Sequence, residues 1–468
     1  MDWSPLRRSK RKCMHTIGNH KIATIYDDKL RPRGREILSD VKWKTIDVVR
    51  LGYEEEPSSP IILITVNIND VNEDISQGAV DKIHELMVEF GLPDVHAEIK
   101  TGRLFEQAGN KQENYDQNIH YPLELCRVPK LGVGISSDGS NRVGSLCLFL
   151  KINGSNYAMT CQHVATSSGM CTQTDAKNAI FQPAKQDLEQ RKYLLNKWMR
   201  INQSYCDAIE AKKSKSTEAG STSISKGQIR VSELQDEIKE LVPRKSAIKS
   251  MISEAHFGTL EYAPGIAKHA TTNARRDWAV IRLSDDRFET LPPNILPCTH
   301  FFDRERHMVW DLCIEQEYGY DLLYGEPGLT APLPLEELNA TLGGLRASKE
   351  QDYESPRVFK HGRTSGWTIG ALNEIRSGCR FGDGCETTEY CVVNIPTLNY
   401  FSYQGDSGAC ILDTNCNIVG MLHSGNGENV PYGAEITYFT PMEWIIQDIK
   451  DSFKTEDVVI ERHIQEAL

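Results

Sequence analysis

The stretch Phe401-Ser402-Tyr403-Gln404-Gly405-Asp406-Ser407-Gly408-Ala409-Cys410 offers one hydroxyl, that of Ser407, on a turn flanked by glycines. Without Cβ atoms, Gly405 and Gly408 let the backbone bend tightly and a ligand come close. Such a turn can aim the N–H groups of Gly405 and Ser407 at a single point, an arrangement that stabilises an oxyanion. A serine hydroxyl is a poor nucleophile until a base sits beside it and a third group orients that base. Both types occur upstream: His163 in Thr160-Cys161-Gln162-His163-Val164-Ala165, and Asp277 in Arg275-Arg276-Asp277-Trp278-Ala279-Val280-Ile281. The imidazole would take the hydroxyl proton and return it to the leaving amine. The carboxylate would fix the imidazole tautomer and stabilise the cation. A histidine or aspartate alone is more often structural, so the reading depends on all three converging.

The flanking segments read as strands. Ala409 to Leu412 and Ile418 to Leu422 are apolar runs joined by Asp413-Thr414-Asn415, a hairpin with Ser407 at its entrance. Val143 to Ile152 and Tyr157 to Thr160 flank Asn153-Gly154, the strongest short-range hairpin signal. His163 follows that hairpin, and Asp277 precedes a buried strand.

The T-x-x-H-V, R-D-W-A-V-I and G-D-S-G-A segments resemble, in type and order, the three site motifs of the trypsin/chymotrypsin-like serine proteases. Phe359-Lys360-His361-Gly362-Arg363-Thr364-Ser365-Gly366-Trp367-Thr368-Ile369-Gly370 is similar to the strand that opens that family's second barrel. The resemblance covers roughly residues 123–445 with two large insertions. It implies a mainly β fold: two six-stranded-type antiparallel chymotrypsin-like barrels with a helical-hairpin insertion, preceded by a small α/β domain. It also implies hydrolysis of peptide bonds through an acyl-enzyme, without a cofactor or metal.

Three further expectations follow from the resemblance. Secreted members are cut so that a new amino terminus pairs with the aspartate before the serine. No such cleavage pattern occurs here, so Asp406 must find another partner or none. Phe401, six before Ser407, would lie at the base of the primary pocket and lacks the carboxylate that selects Arg or Lys. His423 and Ser424 would form a pocket wall. In glutamate-preferring relatives a histidine on this strand reads an acidic side chain; His423 falls one position later, on the other strand face, toward Asp277.

The remaining organisation is coarser. Residues 1–40 read as a basic, disordered tail, with Arg7-Arg8-Ser9-Lys10-Arg11-Lys12 as either a nuclear import signal or a solvated cluster. Residues 41–122 read as a small α/β domain. It comprises strands at Ile46 to Val49, Pro60 to Ile68 and Val95 to Ile99, and a helix carrying Val80, Ile83, Met87 and Phe90 that stops at Gly91. Its bland reading is a structural cap on the next domain; its sharper one is a docking module. Residues 123–448 hold the double barrel. The insertion 183–255 carries two apolar stripes, Leu188/Leu195/Trp198/Tyr205/Ile209 and Val231/Leu234/Ile238/Leu241. They are separated by a linker from Ser214 to Ser225, and Pro243 is the expected end of the second helix. This αα-hairpin is a candidate surface for a protein partner. The acidic insertion 303–353 has no assigned role, and 449–468 reads as a charged tail.

At 468 residues, 39% hydrophobic and 25% charged, the composition is globular and more than one domain long. A net charge of −12 argues against a general nucleic-acid binder. No apolar run is long enough to span a bilayer, and the basic first residues lack a secretory core. The expected location is intracellular, cytoplasmic or nuclear, with the 13 cysteines as free thiols. Cys379, Cys385 and Cys391 lack the paired spacing of a zinc site. Two function classes remain: an intracellular serine endopeptidase acting on protein or peptide substrates, or an inactive protease-fold scaffold that binds partners. A cysteine peptidase fits poorly, because Cys410 lies three residues past the nucleophile position, in strand interior.

Overall fold

A computed structural model describes residues 12–53, 58–106, 129–166, 178–215, 221–297, 328–347, 355–395, 400–427 and 435–462. The basic cluster lies outside these residues except for Lys12, as does most of the second insertion.

The chain begins with β1 (Lys12–His15) and two short helices, α1 (Ile22–Ile25) and α2 (Arg31–Ile37). Then come β2 (Trp43–Tyr53), β3 (Ser59–Val66), helix α3 (Glu73–Glu89), β4 (His96–Thr101) and β5 (Arg103–Glu106). Helix α3 starts where the Asn72 side chain accepts the Ile75 N–H, and Gly91 beyond it has φ +68°. It is the crossover between the parallel strands β3 and β4. Residues 12–40 differ from the expected tail. Ile17, Ile22, Tyr26, Leu30 and Leu38 are buried with Trp43, Ile64, Ile83 and Met87 in one core, which offsets the ordering entropy of a polar segment.

The first barrel comprises β6 (Gly134–Ser137), β7 (Val143–Ser145), β8 (Leu148–Ile152), β9 (Ser155–Thr160), the single turn α4 (Gln162–Ala165) and β10 (Ala179–Phe181). After an insertion it continues with β11 (His256–Tyr262), the short pair β12 (Ala267–Lys268) and β13 (Arg275–Arg276), and β14 (Ala279–Leu283). The main strands are ordered β8-β9-β14-β11-β10-β6-β7. Since β7 and β8 belong to one stretch, the sheet rolls back on itself. Asn153 and Gly154 both have positive φ, +51° and +75°, as a two-residue hairpin demands.

The insertion is an antiparallel helical arm, α5 (Lys185–Lys215) and α6 (Ser221–Glu254). Leu188, Leu195, Leu241, Ile248 and Met251 form its own small core. Pro243 does not end the second helix, which runs through it to Glu254. The lost backbone bond is tolerated because Leu241, Ile248 and Met251 hold both sides of it against α5. Trp198 and Tyr205, expected on the packing stripe, are instead exposed.

The second barrel follows helix α7 (Leu335–Ala347). Its elements are β15 (Arg357–Gly362), β16 (Gly366–Leu372), β17 (Ser377–Arg380), β18 (Glu386–Asn394), β19 (Cys410–Asp413), β20 (Ile418–Gly427) and β21 (Ile436–Pro441). The ring β16-β15-β19-β20-β21-β18 closes through β16–β18 pairing. Helix α8 (Met442–Phe453) and β22 (Val458–Val459) end the chain. This is not the loose tail expected from 449 onward: Ile449 is buried in the barrel core and β22 pairs with β8.

The first 106 residues are not a detached domain. β2 pairs with β17, so β2, β3 and β4 extend the second barrel's sheet. Buried Asp47 accepts from Thr45 and Tyr438 at 2.7 and 3.0 Å and from Asn426 at 3.3 Å, tying β2 to β20 and β21. Cys379 and Cys391 lie in this shared core, and the described cysteines are not joined in disulfides. No described helix is long and apolar enough to cross a membrane.

Candidate active site

His163, Asp277 and Ser407 each sit beside the end of a strand. His163 is on α4, just past β9; Asp277 lies between β13 and β14; Ser407 precedes β19. Asp277 holds His163 twice: Oδ1 accepts the His163 backbone N–H at 3.1 Å, and Oδ2 accepts from Nδ1 at 2.7 Å. Burial alone would raise the Asp277 pKa. The charge and hydrogen bond of His163, then the Arg275 guanidinium, outweigh burial and hold the carboxyl well below its usual range. An ionised Asp277 can only accept, so Nδ1 carries the proton and Nε2 is left as the basic nitrogen. Among the described residues Nε2 has no hydrogen-bond partner.

Two contacts bring the serine turn to the histidine. Cys161, two residues before His163, donates from Sγ to the Leu422 carbonyl at 3.2 Å, and the Gly408 N–H donates to the same carbonyl at 2.8 Å. Gly144 is packed so closely that a Cβ there would meet Val164 at 2.4 Å and the Ser407 carbonyl at 2.7 Å. The Ser407 hydroxyl donates to the His423 carbonyl at 3.1 Å. Its bond to His163 Nε2 is not formed, as is often so for catalytic hydrogen bonds before substrate binds.

The turn is rigid. Gly405 and Gly408 have φ +101° and +92°. A Cβ on Gly408 would lie 2.2 Å from the Ser145 carbonyl and 2.4 Å from Thr160 Oγ1. Asp406 points inward. Its Oδ1 accepts the N–H groups of Thr364 and Ser365 at 2.9 and 3.1 Å, and its Oδ2 accepts from Ser365 Oγ at 2.7 Å, Tyr403 N at 2.9 Å and Lys360 Nζ at 3.2 Å. Among the described residues, the N–H groups of Gly405 and Ser407 bond to no other group.

The expected specificity residues behave differently. Phe401 is fully buried in the second barrel's apolar core with Leu372, Tyr390 and Phe439, because its ring turns inward under β16 rather than lining an opening. His423 and Ser424 are also buried and bond to each other, Nδ1 to Oγ at 2.8 Å. His423 Nε2 lies 3.4 Å from Glu389 Oε2, and the charge of His423 is also among those that lower the Asp277 pKa. Cys161, His163 and Asp277 have ligand atoms within 4.8 Å of one another. Burial pushes the Cys161 thiol well up, and its hydrogen is engaged by Leu422, so a thiolate ligand is disfavoured.

Sequence reasoning missed Lys360, Arg142, Arg275 and the placement of β5. Lys360 left one signal, a charge inside a run otherwise reading as buried strand. β5 left none, although it lies on the β20 edge beside the site: Glu106 pairs with Ser424 and Arg103 with Gly427. Ser407 and His163 have no exposed surface.

Two barrels with these side chains at their junction define a trypsin/chymotrypsin-like fold. Residues 339–456, about a quarter of the chain, match the model of Peptidase family S64. That match supports a peptidase and covers Ser407 but not His163 or Asp277. Among solved structures, the chain is similar to a glutamic acid specific serine protease with a histidine triad in substrate binding: 12% identity over 71% of this chain and 99% of that one, TM-score 0.32. It is also similar to Thermobifida fusca protease A, 11% identical over 68% and 95%, TM-score 0.32. A third is Cellulomonas bogoriensis chymotrypsin, 12% identical over 68% and 94%, TM-score 0.30. No curated protein matches.

Proposed function

We propose that the chain is a serine endopeptidase in which Ser407 is the nucleophile, His163 the general base and acid, and Asp277 the group that orients the imidazole. The observation that carries this reading is the 2.7 Å pairing of His163 Nδ1 with Asp277 Oδ2, beside the glycine-flanked turn of Ser407. In the first step Ser407 Oγ bonds to the peptide carbonyl carbon while Nε2 takes the hydroxyl proton. The carbonyl oxygen becomes an oxyanion facing the N–H groups of Gly405 and Ser407. The C–N bond breaks as Nε2 protonates the leaving amine, leaving an acyl-enzyme. Water, deprotonated by the same nitrogen, then releases the acid and restores the serine.

Substrate would pair with β20 from Ser424 onward, the edge that β5 now occupies, so β5 must lift first. The buried site also favours a second reading, a closed protease-fold module that binds without cleaving. A fluorophosphonate probe separates them. In the chain with β5 loosened by Glu106→Lys, labelling that disappears on Ser407→Ala supports the peptidase. Absence of labelling there, with the fold intact, refutes it.

A further inference from the structure

Three contacts follow one another along one edge of β20. Met421 pairs with Cys410 of β19, the His423 carbonyl accepts the Ser407 hydroxyl, and Ser424 to Gly427 pair with β5. Glu106, opposite Ser424, is therefore the β5 residue nearest the serine turn.

Its carboxylate is held by two guanidiniums. Oε1 accepts from Arg275 Nη2 at 2.7 Å, and Oε2 accepts from Arg142 Nη1 at 3.1 Å. Both arginines border the His163–Asp277 pair. Arg142 Nη1 is 3.4 Å from the His163 carbonyl, and Arg275 Nε is 3.4 Å from Asp277 Oδ2. The Arg275 side chain is only 2% exposed, and its guanidinium lies over the Phe381 ring, 3.8 Å from the centroid, which fixes its plane. Its other carboxylates are more distant, Asp277 at 3.4 Å and Asp383 at 3.5 Å, so Glu106 is the nearest counter-charge.

We propose that Arg142 and Arg275 form a subsite for an acidic side chain, at the residue of a bound peptide that pairs with Ser424, and that Glu106 is its internal occupant. The inference deepens the peptidase reading and rests on it for calling that peptide a substrate. A carboxylate offers each guanidinium an anionic oxygen, and charge-assisted bonds of this kind are about twice as strong as neutral ones. A glutamine there offers one acceptor oxygen and an NH₂ that faces a cation. An aspartate, one methylene shorter, cannot reach both.

The test is hydrogen exchange of the backbone amides of residues 103–106 in the full chain, read against β14 as an internal control of the fold. Glu106→Gln should exchange ~10-fold faster in this strand alone. Glu106→Lys should exchange faster still, and adding Arg142→Glu should restore protection. Next, anisotropy on the Glu106→Lys chain should find the labelled peptide Arg-Leu-Phe-Glu binding ~10-fold more tightly than Arg-Leu-Phe-Gln. Wild-type exchange in Glu106→Gln, no rescue by Arg142→Glu, or equal binding of the two peptides would each overturn the subsite. Neither readout needs hydrolysis, so loss of the peptidase reading would leave both standing.

Discussion

Lys360 Nζ lies 3.2 Å from Asp406 Oδ2, with both side chains fully buried. A lysine on β15 thus supplies, from within the chain, the cation that the aspartate before the serine requires. Ser365 Oγ joins them, accepting from Nζ at 2.6 Å and donating to Oδ2 at 2.7 Å. Removing the cation leaves a charge stranded in the interior. Lys360→Met should cost about 3–5 kcal/mol, the usual penalty for breaking a buried pair from one side. Urea denaturation would measure it, and an unchanged midpoint would refute the role.

The same pair sets an acid limit. Burial would raise the Asp406 pKa, but the charge of Lys360, then the Ser365 and backbone hydrogen bonds, lower it. A depressed carboxyl contributes its full stabilisation above the unfolded value, ~3.9. That contribution is lost as pH falls through the lower folded value. Asp277 adds to it with the same sign. Stability measured from about pH 6 down should therefore fall mainly below ~4 in the wild type. In Lys360→Met the buried carboxyl is left without its cation and its pKa is pushed up, so protonation favours the folded state: the acid loss from this group should disappear and the gap to the wild type should narrow as pH falls. Coincident curves would argue against the ion pair.

Asp277→Asn should leave the fold largely intact yet strip His163 of its tautomer control. Its amide can donate to Nδ1, turning Nε2 into the protonated nitrogen. Comparable changes lower kcat on the order of 10⁴-fold. Fluorophosphonate labelling kinetics in the Glu106→Lys chain would read the loss, and labelling there at the rate of the chain that keeps Asp277 would remove Asp277 from the proposed machinery.

Gly408→Ala tests the turn. The new methyl would meet the Ser145 carbonyl and Thr160 Oγ1 in a backbone conformation with φ +92°. Strain of that type costs on the order of 1–3 kcal/mol before the clash is counted. Thermal unfolding should occur at a clearly lower temperature. Gly154→Ala, which meets nothing within 4 Å, should lose less.

Much of the architecture was legible because its signals are local. Asn153-Gly154 demands a hairpin whatever surrounds it, and the apolar runs before Thr160 and after Ala409 read as strands. The α3 period and its stop at Gly91 could be read the same way. Pro243 misled because a local rule was overridden by packing between α5 and α6. The segment 12–40 misled because its few apolar residues matter only once α3 and β2 are there to receive them.

By itself the sequence determined which segments turn, which run as strands, and the order in which His163, Asp277 and Ser407 arrive. Only the tertiary structure decided what pairs across long separations: Lys360 with Asp406, β2 with β17, and Glu106 with Arg142, Arg275 and Ser424. The physical reason is that turn chemistry and hydrophobic period act between neighbours in the chain. A strand edge or a buried charge, by contrast, accepts any partner that three-dimensional packing brings within reach.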